Sequence, residues 1–326
     1  MNGDISKPLW QRQLILRTIR EALYAHDFLE AETPMLVKGT CPDVQIDSII
    51  AGNGYLVTST EYQIKRLIVD GWDKVFTLTK NFRANEKGPY HSSEFTMLEW
   101  ARAHALLEDI EEDAIRFIRD AFRQIHPGKD QLNYRGHAID MASPWERLTV
   151  REAFSRYLRM HDVGDFSLAA LCESANDAGV RLPANFLRDQ HLVLSFLLDL
   201  VQPYLGKDTP TFLREWPAFM TSSAQLSERD PHVAERSELY MAGIEIADGF
   251  PFLRDAGMQR DFFAREQKRR EEEGKPRVVL DEKYIEALER GIPSGAGMAL
   301  GIDRLVMVLL DKQTIGEVQA FSEHEI

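Results

Sequence analysis

The chain has 326 residues, 44 % of them hydrophobic, with a formal net charge of -13 and only two cysteines, Cys41 and Cys172. That length and apolar content allow one large core, while the acidic balance excludes broad, non-specific nucleic-acid binding but not a basic pocket. The cysteines offer neither metal spacing nor a disulfide framework, the polar stretch Met1 to Lys7 is no signal peptide, and no apolar run is long enough to span a bilayer; a reduced cytoplasm is expected.

Hydrophobic spacing predicts an amphipathic helix over Pro8–Asp27, with Leu14, Ile15, Ile19, Leu23 and Phe28 recurring at helical period. It runs into Glu30-Ala31-Glu32-Thr33-Pro34-Met35-Leu36, expected as an edge or interface strand because Pro34 has no N–H to donate. Short strands are expected near 46–50 and 54–58, and a helix over 61–72. A strand–loop–strand unit covers Val75 to Glu99, and an amphipathic helix covers 106–125. The stretch of about 148–204 reads as a mostly helical insertion over the main sheet. Strands are expected at 212–217 and 235–250, then a charged helix at 261–274 whose run Lys268 to Glu273 is a solvated face. No repeat or long linker divides the chain, so residues 1–326 read as one domain with that insertion.

The most informative stretch runs from Phe82 to Glu99. Arg83 and His91 flank a polar loop holding Lys87, Gly88 and Pro89, and Phe95 lies on the return strand. Arginine is a planar, permanent cation suited to phosphate, and an aromatic face can hold a purine. No P-loop or GxGxxG is present, so a nucleotide bound across this hairpin is the natural reading. Near the C-terminus, Gly295-Ala296-Gly297-Met298-Ala299-Leu300-Gly301-Ile302-Asp303-Arg304 leads into an apolar run. Its glycines permit close approach of backbone to a ligand, and Arg304 sits where a helix would begin. The alternative is a Gly-rich strand joined to a buried helix, with Arg304 in a structural ion pair.

Glu235 to Phe250 reads as a hairpin. A two-residue turn at Met241 and Ala242 would place Glu238 directly opposite Glu245 on one face. A facing carboxylate pair suits Mg²⁺ with substrate phosphates. Two solvated glutamates on an exposed sheet face are the alternative.

These residues together resemble the class II aminoacyl-tRNA synthetases. The hairpin with Arg83, His91 and Phe95 resembles motif 2, Gly297 to Arg304 resembles motif 3, and the helix ending at Thr33-Pro34 resembles motif 1. Within the class the chain is similar to the lysyl-tRNA synthetase core, and to its short paralogues that attach β-lysine to elongation factor P. The likeness covers about Pro8 to Phe321, begins almost at motif 1 without room for an anticodon-reading OB-fold, and includes Ala299 where the synthetases usually carry glycine.

The resemblance implies an α+β fold, an antiparallel sheet flanked by helices. It implies ATP and Mg²⁺ as cofactors, with Arg83 and Arg304 catalytic. Arg83 would hold the α-phosphate, His91 and Arg304 the outer phosphates, and Phe95 the adenine, with Asn85 or Glu86 beside it. Glu238 and Glu245 would hold the metal. Glu61 would pair with the substrate's α- or β-ammonium and Glu99 would face the side-chain ammonium, with Ala101, Asp248, Phe250, Phe252 and Ala299 completing the amino-acid site.

The implied activity is adenylation of an amino acid, then aminoacyl transfer to a protein lysine on elongation factor P, by a homodimer that does not need tRNA. A different acceptor, or a non-catalytic amino-acid-binding paralogue, are the alternatives. Several positions depart from the family pattern. Phe-Arg-Asn-Glu becomes Phe82-Arg83-Ala84-Asn85, with Glu86 one place late. Ala101 replaces a tyrosine, Asp248 an asparagine and Phe252 a carboxylate. Burying an ammonium against Phe252 would be costly, so α-lysine is expected to be a poor substrate, while Glu99 and the added carboxylate of Asp248 leave a cationic substrate open.

Overall fold

The computed structural model describes residues 6–221, 223–322 and 325, so the polar stretch before Ser6 lies outside the described residues. The chain forms two compact units, Met1–Lys129 with Gly249–Ile326, and Asp130–Asp248. In chain order the first unit holds α1 (Ser6–Tyr24), β1 (Leu29–Glu30), β2 (Leu36–Val37), β3 (Ile50–Ala51), β4 (Gly54–Leu56), α2 (Glu61–Val69), β5 (Lys74–Phe82), β6 (Glu94–Ala103) and α3 (Leu107–Ile125). The second holds β7 (Gln131–Tyr134), β8 (His137–Asp140), β9 (Glu146–Thr149), α4 (Val150–Ala153), α5 (Leu168–Asp177), α6 (Gln190–Val201), β10 (Thr211–Pro217) and β11 (Val233–Met241). Strand β12 (Ile244–Pro251) carries the chain back to α7 (Ala256–Glu272), α8 (Glu282–Arg290), β13 (Gly295–Gly301) and α9 (Ile302–Leu309).

In the first unit the strands lie in the order β1-β5-β6-β13. Only β1 pairs parallel; β5–β6 and β6–β13 are antiparallel. Side chains of β6 alternate between two faces. Trp100 packs edge-on against Phe117 of α3, with ring centroids 4.9 Å apart. That face and Ile110, Ala114, Ile118 and Ala121 of α3 are fully buried, each large side chain contributing about 2 kcal/mol. The opposite face therefore carries Glu99 and Ala101. The register sets Thr77 and Ala299 beside Glu99, and Val75 and Gly297 beside Ala101. A second apolar cluster joins Tyr62, Ile64 and Ile68 of α2 to Ala101, Phe252, Phe263, Tyr284 and Leu288.

In the second unit the neighbours are β12-β11-β10-β9, with β9 parallel to β10 and β11 antiparallel to it. Thr149 and Glu152 form a reciprocal cap that starts α4. Phe154, Phe166, Leu171, Val193, Leu197 and Trp216 build the unit's own core. Both units are thus α+β, with mostly antiparallel sheets covered by helices, as expected. Among the described residues no helix is long and apolar enough to cross a membrane.

Three local expectations are corrected. The first helix ends at Tyr24 rather than Asp27, because Asp27 turns the chain with φ of 63°. Pro34 belongs to no strand; the chain leaves the sheet after Ala31, whose N–H donates to Phe76 O at 2.8 Å. The stretch 46–49 is not a strand, and pairing begins only at Ile50.

Candidate functional site

The β5–β6 pairing ends at Phe82 opposite Glu94 and leaves 83–93 as the connecting loop. Arg83 N–H donates to Ser93 O at 3.0 Å, closing the base of that loop. Its guanidinium carbon lies 5.2 Å from the Phe95 ring centroid, so charge and aromatic face share one end of the hairpin. Ala84 N–H is held by Asp47 O at 2.7 Å. Asn85 takes φ of 63°, a conformation asparagine tolerates better than most residues, and is exposed at the turn.

Arg304 reaches this loop from the first turn of α9. Its Nε donates to Tyr90 O at 3.1 Å, and its Nη2 lies 2.7 Å from His91 Nε2. A guanidinium can only donate, so in that contact His91 Nε2 is the acceptor. The same ring nitrogen lies 3.7 Å from Glu86 Oε2. The structure thus brings Arg304, His91 and Glu86 together, and sets Arg83 on Phe95. Asp303, beside Arg304, accepts the Thr96 N–H at 2.8 Å and an ion contact from Arg12 of α1 at 2.7 Å.

On the face of β6 away from Trp100, the one that also carries Phe95, Glu99 is buried and holds three donors. Ser59 Oγ and Thr60 N–H donate at 2.5 Å, and the Thr60 hydroxyl donates as well. Burial pushes the Glu99 carboxyl above its ordinary range, against the pull of these hydrogen bonds. Glu61 accepts from Lys65 Nζ at 2.6 Å across one turn of α2. Lys65 is only 2 % exposed. Burial opposes its charge, but Glu61 and Tyr284 raise its pKa above that of a free lysine. Its ammonium lies 5.3 Å from the Phe250 ring centroid and 5.6 Å from that of Phe252. Phe252 is buried against Gly295, where a Cβ would stand 2.6 Å from the ring.

In the second unit the expected hairpin forms, but its turn is one residue later than predicted. Ala242 and Gly243 have φ of 54° and 74°, the pattern of a type I′ turn, in which glycine suits the second position. A two-residue loop there sets Tyr240 opposite Glu245 and Glu238 opposite Ala247, so the two glutamates are diagonal neighbours on one face rather than directly opposed. Glu238 is buried, accepts from Tyr240 Oη at 2.5 Å and pairs with Arg236 at 2.8 Å. Burial pushes its carboxyl up to about 8, with Glu245 and Asp248 adding to the rise and Arg236 opposing it. Asp248 takes Nε and Nη2 of Arg236 at 2.8 and 3.1 Å, a bidentate pair. Three carboxylates thus lie around one guanidinium, but among the described residues no group of three or more Asp, Glu, His or Cys side chains is arranged to hold a metal ion.

Lys65 and Arg236 escaped the sequence reading. Both had a signal: Lys65 stands four residues after Glu61 on a helix, and Arg236 two before Glu238 on a strand. Asp303 was visible only as the neighbour of Arg304.

A family model described as tRNA synthetases class II (D, K and N) matches residues 1–325. The chain is also 36 % identical, over 325 residues, to the elongation factor P–(R)-beta-lysine ligase of Klebsiella pneumoniae subsp. pneumoniae, a match covering 96 % of this chain and 94 % of that one. By that family model and that relative, this chain belongs to the class II tRNA synthetases of the D, K and N group.

Proposed function

We propose that this chain is an ATP-dependent, AMP-forming aminoacyl ligase that modifies a lysine of elongation factor P. An amino-acid carboxylate attacks the α-phosphorus of ATP and displaces pyrophosphate. The lysine amine of the acceptor then attacks the acyl carbonyl, AMP leaves, and the amine loses a proton. The observation that carries this reading is the meeting of Arg304 with His91 at 2.7 Å while Arg83 lies on the Phe95 ring. Two arginines far apart in sequence converge on one hairpin, with an aromatic face beside them.

Arg83 holds the α-phosphate as its charge develops, and His91 with Arg304 binds the outer phosphates. Phe95 stacks the adenine, and Glu86 or Asn85 reads its edge. Glu61 receives the substrate amine, and Glu99, Ala101, Ala299, Phe250 and Phe252 shape the amino-acid site. Glu238 and Glu245 would hold a Mg²⁺ ion, which would supply neutralisation of phosphate charge. The enzyme's part is orientation and electrostatics rather than covalent participation.

The working form is a cytoplasmic homodimer. Trp10 of α1 and Leu36 of β2 are 69 % and 56 % exposed in the single chain, which supports a covered surface there. Incubating the protein with ATP, Mg²⁺, an amino-acid mixture and elongation factor P tests the reading by intact mass. An ATP-dependent gain of one aminoacyl residue on elongation factor P is expected. Acylation of a carrier protein, a small amine or tRNA in its place would move the acceptor; no adenylate with any amino acid would remove the ligase.

A further inference from the structure

A buried side-chain ammonium is normally received by a carboxylate with lone pairs to spare. In the first unit, the face built by α2, β6 and 249–252 commits its carboxylates elsewhere. Glu61 gives one oxygen to Lys65 at 2.6 Å and is the group assigned above to the substrate's α- or β-amine, not to its side-chain end. Glu99 is engaged by Ser59 and Thr60 through three donors. The end of that face is apolar: Ala101 and Phe252, 3 % and 1 % exposed, belong to one cluster with Tyr62 and Tyr284. Phe252 is built in rather than swung in, since its ring rests on the bare backbone of Gly295.

Aromatic rings alone can hold a cation, but here the rings already have one. The Lys65 ammonium lies 5.3, 5.6 and 5.8 Å from the centroids of Phe250, Phe252 and Tyr284. A second ammonium brought to Phe252 would meet a like charge at low dielectric with no anion of its own. An uncharged chain end loses nothing there and gains the contact. Independently, within the second unit, Asp248 is held by both nitrogens of the Arg236 fork, so the carboxylate gained at that position is neutralised internally.

We propose that this enzyme activates an amino acid whose side chain ends without charge, with Phe252 and Ala101 as its specificity-determining residues and Lys65 as the resident cation. The inference rests on the adenylation reading above and narrows it. It separates this chain's amino acid from the β-lysine in the name of the Klebsiella ligase.

The test is ATP–pyrophosphate exchange by the intact protein. Lysine and (R)-β-lysine are compared with norleucine, methionine, leucine and 2-aminoheptanoate, a near-isostere of lysine without its charge. The best uncharged substrate is expected to exceed both lysines in kcat/KM by tenfold or more. Phe252→Glu, alone and with Ala101→Tyr, is expected to raise kcat/KM for lysine at least tenfold and to lower it for the uncharged substrate. Either lysine as the best substrate of the unaltered protein overturns the inference and leaves the ligase standing. Exchange with no amino acid overturns both. Should the Phe252→Glu protein not fold, the panel on the unaltered protein decides alone.

Discussion

Arg12 and Asp303 meet at 2.7 Å and tie the first helix to the residue beside Arg304. Asp303 is 3 % exposed, and its second oxygen accepts the Thr96 N–H of β6 at 2.8 Å. Arg12 Nη2 donates to the Thr96 hydroxyl at 3.0 Å. One carboxylate therefore joins α1, strand β6 and the start of α9. Asp303→Ala leaves the Arg12 guanidinium without its partner and is expected to destabilise the protein by about 3 kcal/mol in urea titration. In the folded fraction, KM for ATP should rise more than kcat falls, because Arg304 loses its anchor. Asp303→Asn keeps the oxygen that accepts from Thr96 and should recover part of the KM. Equal losses in both variants with unchanged KM would make the pair purely structural.

Arg304 contacts His91 and the Tyr90 carbonyl on the exposed side of the loop. Its removal should cost little stability, within about 1 kcal/mol. Adenylation should fall by roughly a thousandfold, the scale for a lost transition-state donor. Arg304→Lys should not restore it, because an ammonium lacks the planar fork. Pyrophosphate exchange reads the first claim and thermal melting the second.

Much of this site is legible in the sequence because the hairpin obeys local rules. Apolar residues precede and follow a loop rich in Gly, Pro and Ser, so β5 and β6 appear almost where they are read. The glycines of β13 announce a strand pressed against its neighbours, and Gly297 does stand opposite Ala101. What sequence hides is partnership. Lys65 looks like one more solvated lysine on a helix, yet α2 turns it inward because three aromatic rings and Glu61 receive it. The Glu238–Glu245 pairing fails by two residues because the turn sits one residue later, on Gly243, whose positive φ is cheap, rather than on Met241. The strand expected at Pro34 fails because β1 keeps only Leu29 and Glu30 in register with β5.

The carboxylates around Arg236 carry a prediction about metal. Removing divalent ions with EDTA should stop pyrophosphate exchange, and Mg²⁺ should restore it. Glu245→Gln removes one charge from the face that also holds Glu238, so half-saturation by Mg²⁺ should rise tenfold or more. Its kcat at saturating Mg²⁺ should change less. An unchanged Mg²⁺ dependence in both Glu245→Gln and Glu238→Gln would place the ion elsewhere.

Cys41 offers a test of the packing beneath the proposed amino-acid site. The residue is half-buried, but its thiol is enclosed beside Tyr62 and packs on the apolar cluster that contains Phe252. Burial pushes the thiol up to about 12, Asp43 adds to the rise, and the Tyr62 hydrogen bond opposes it. Only the thiolate is alkylated, and a pKa raised in the folded state keeps the thiol protonated as pH rises through the usual cysteine range. At pH 8 the thiolate fraction is on the order of one in ten thousand, against about a quarter for an unperturbed cysteine. Iodoacetamide should therefore modify Cys41 on the order of a thousandfold more slowly in the native protein than in guanidinium. The native rate should climb about tenfold per pH unit between pH 8 and 11, while the fold holds. Peptide mass mapping separates it from Cys172. A native rate at pH 8 close to the unfolded rate would mean that the cluster of Tyr62, Tyr284 and Phe252 is open to solvent, and the apolar wall argued for the substrate would fall with it.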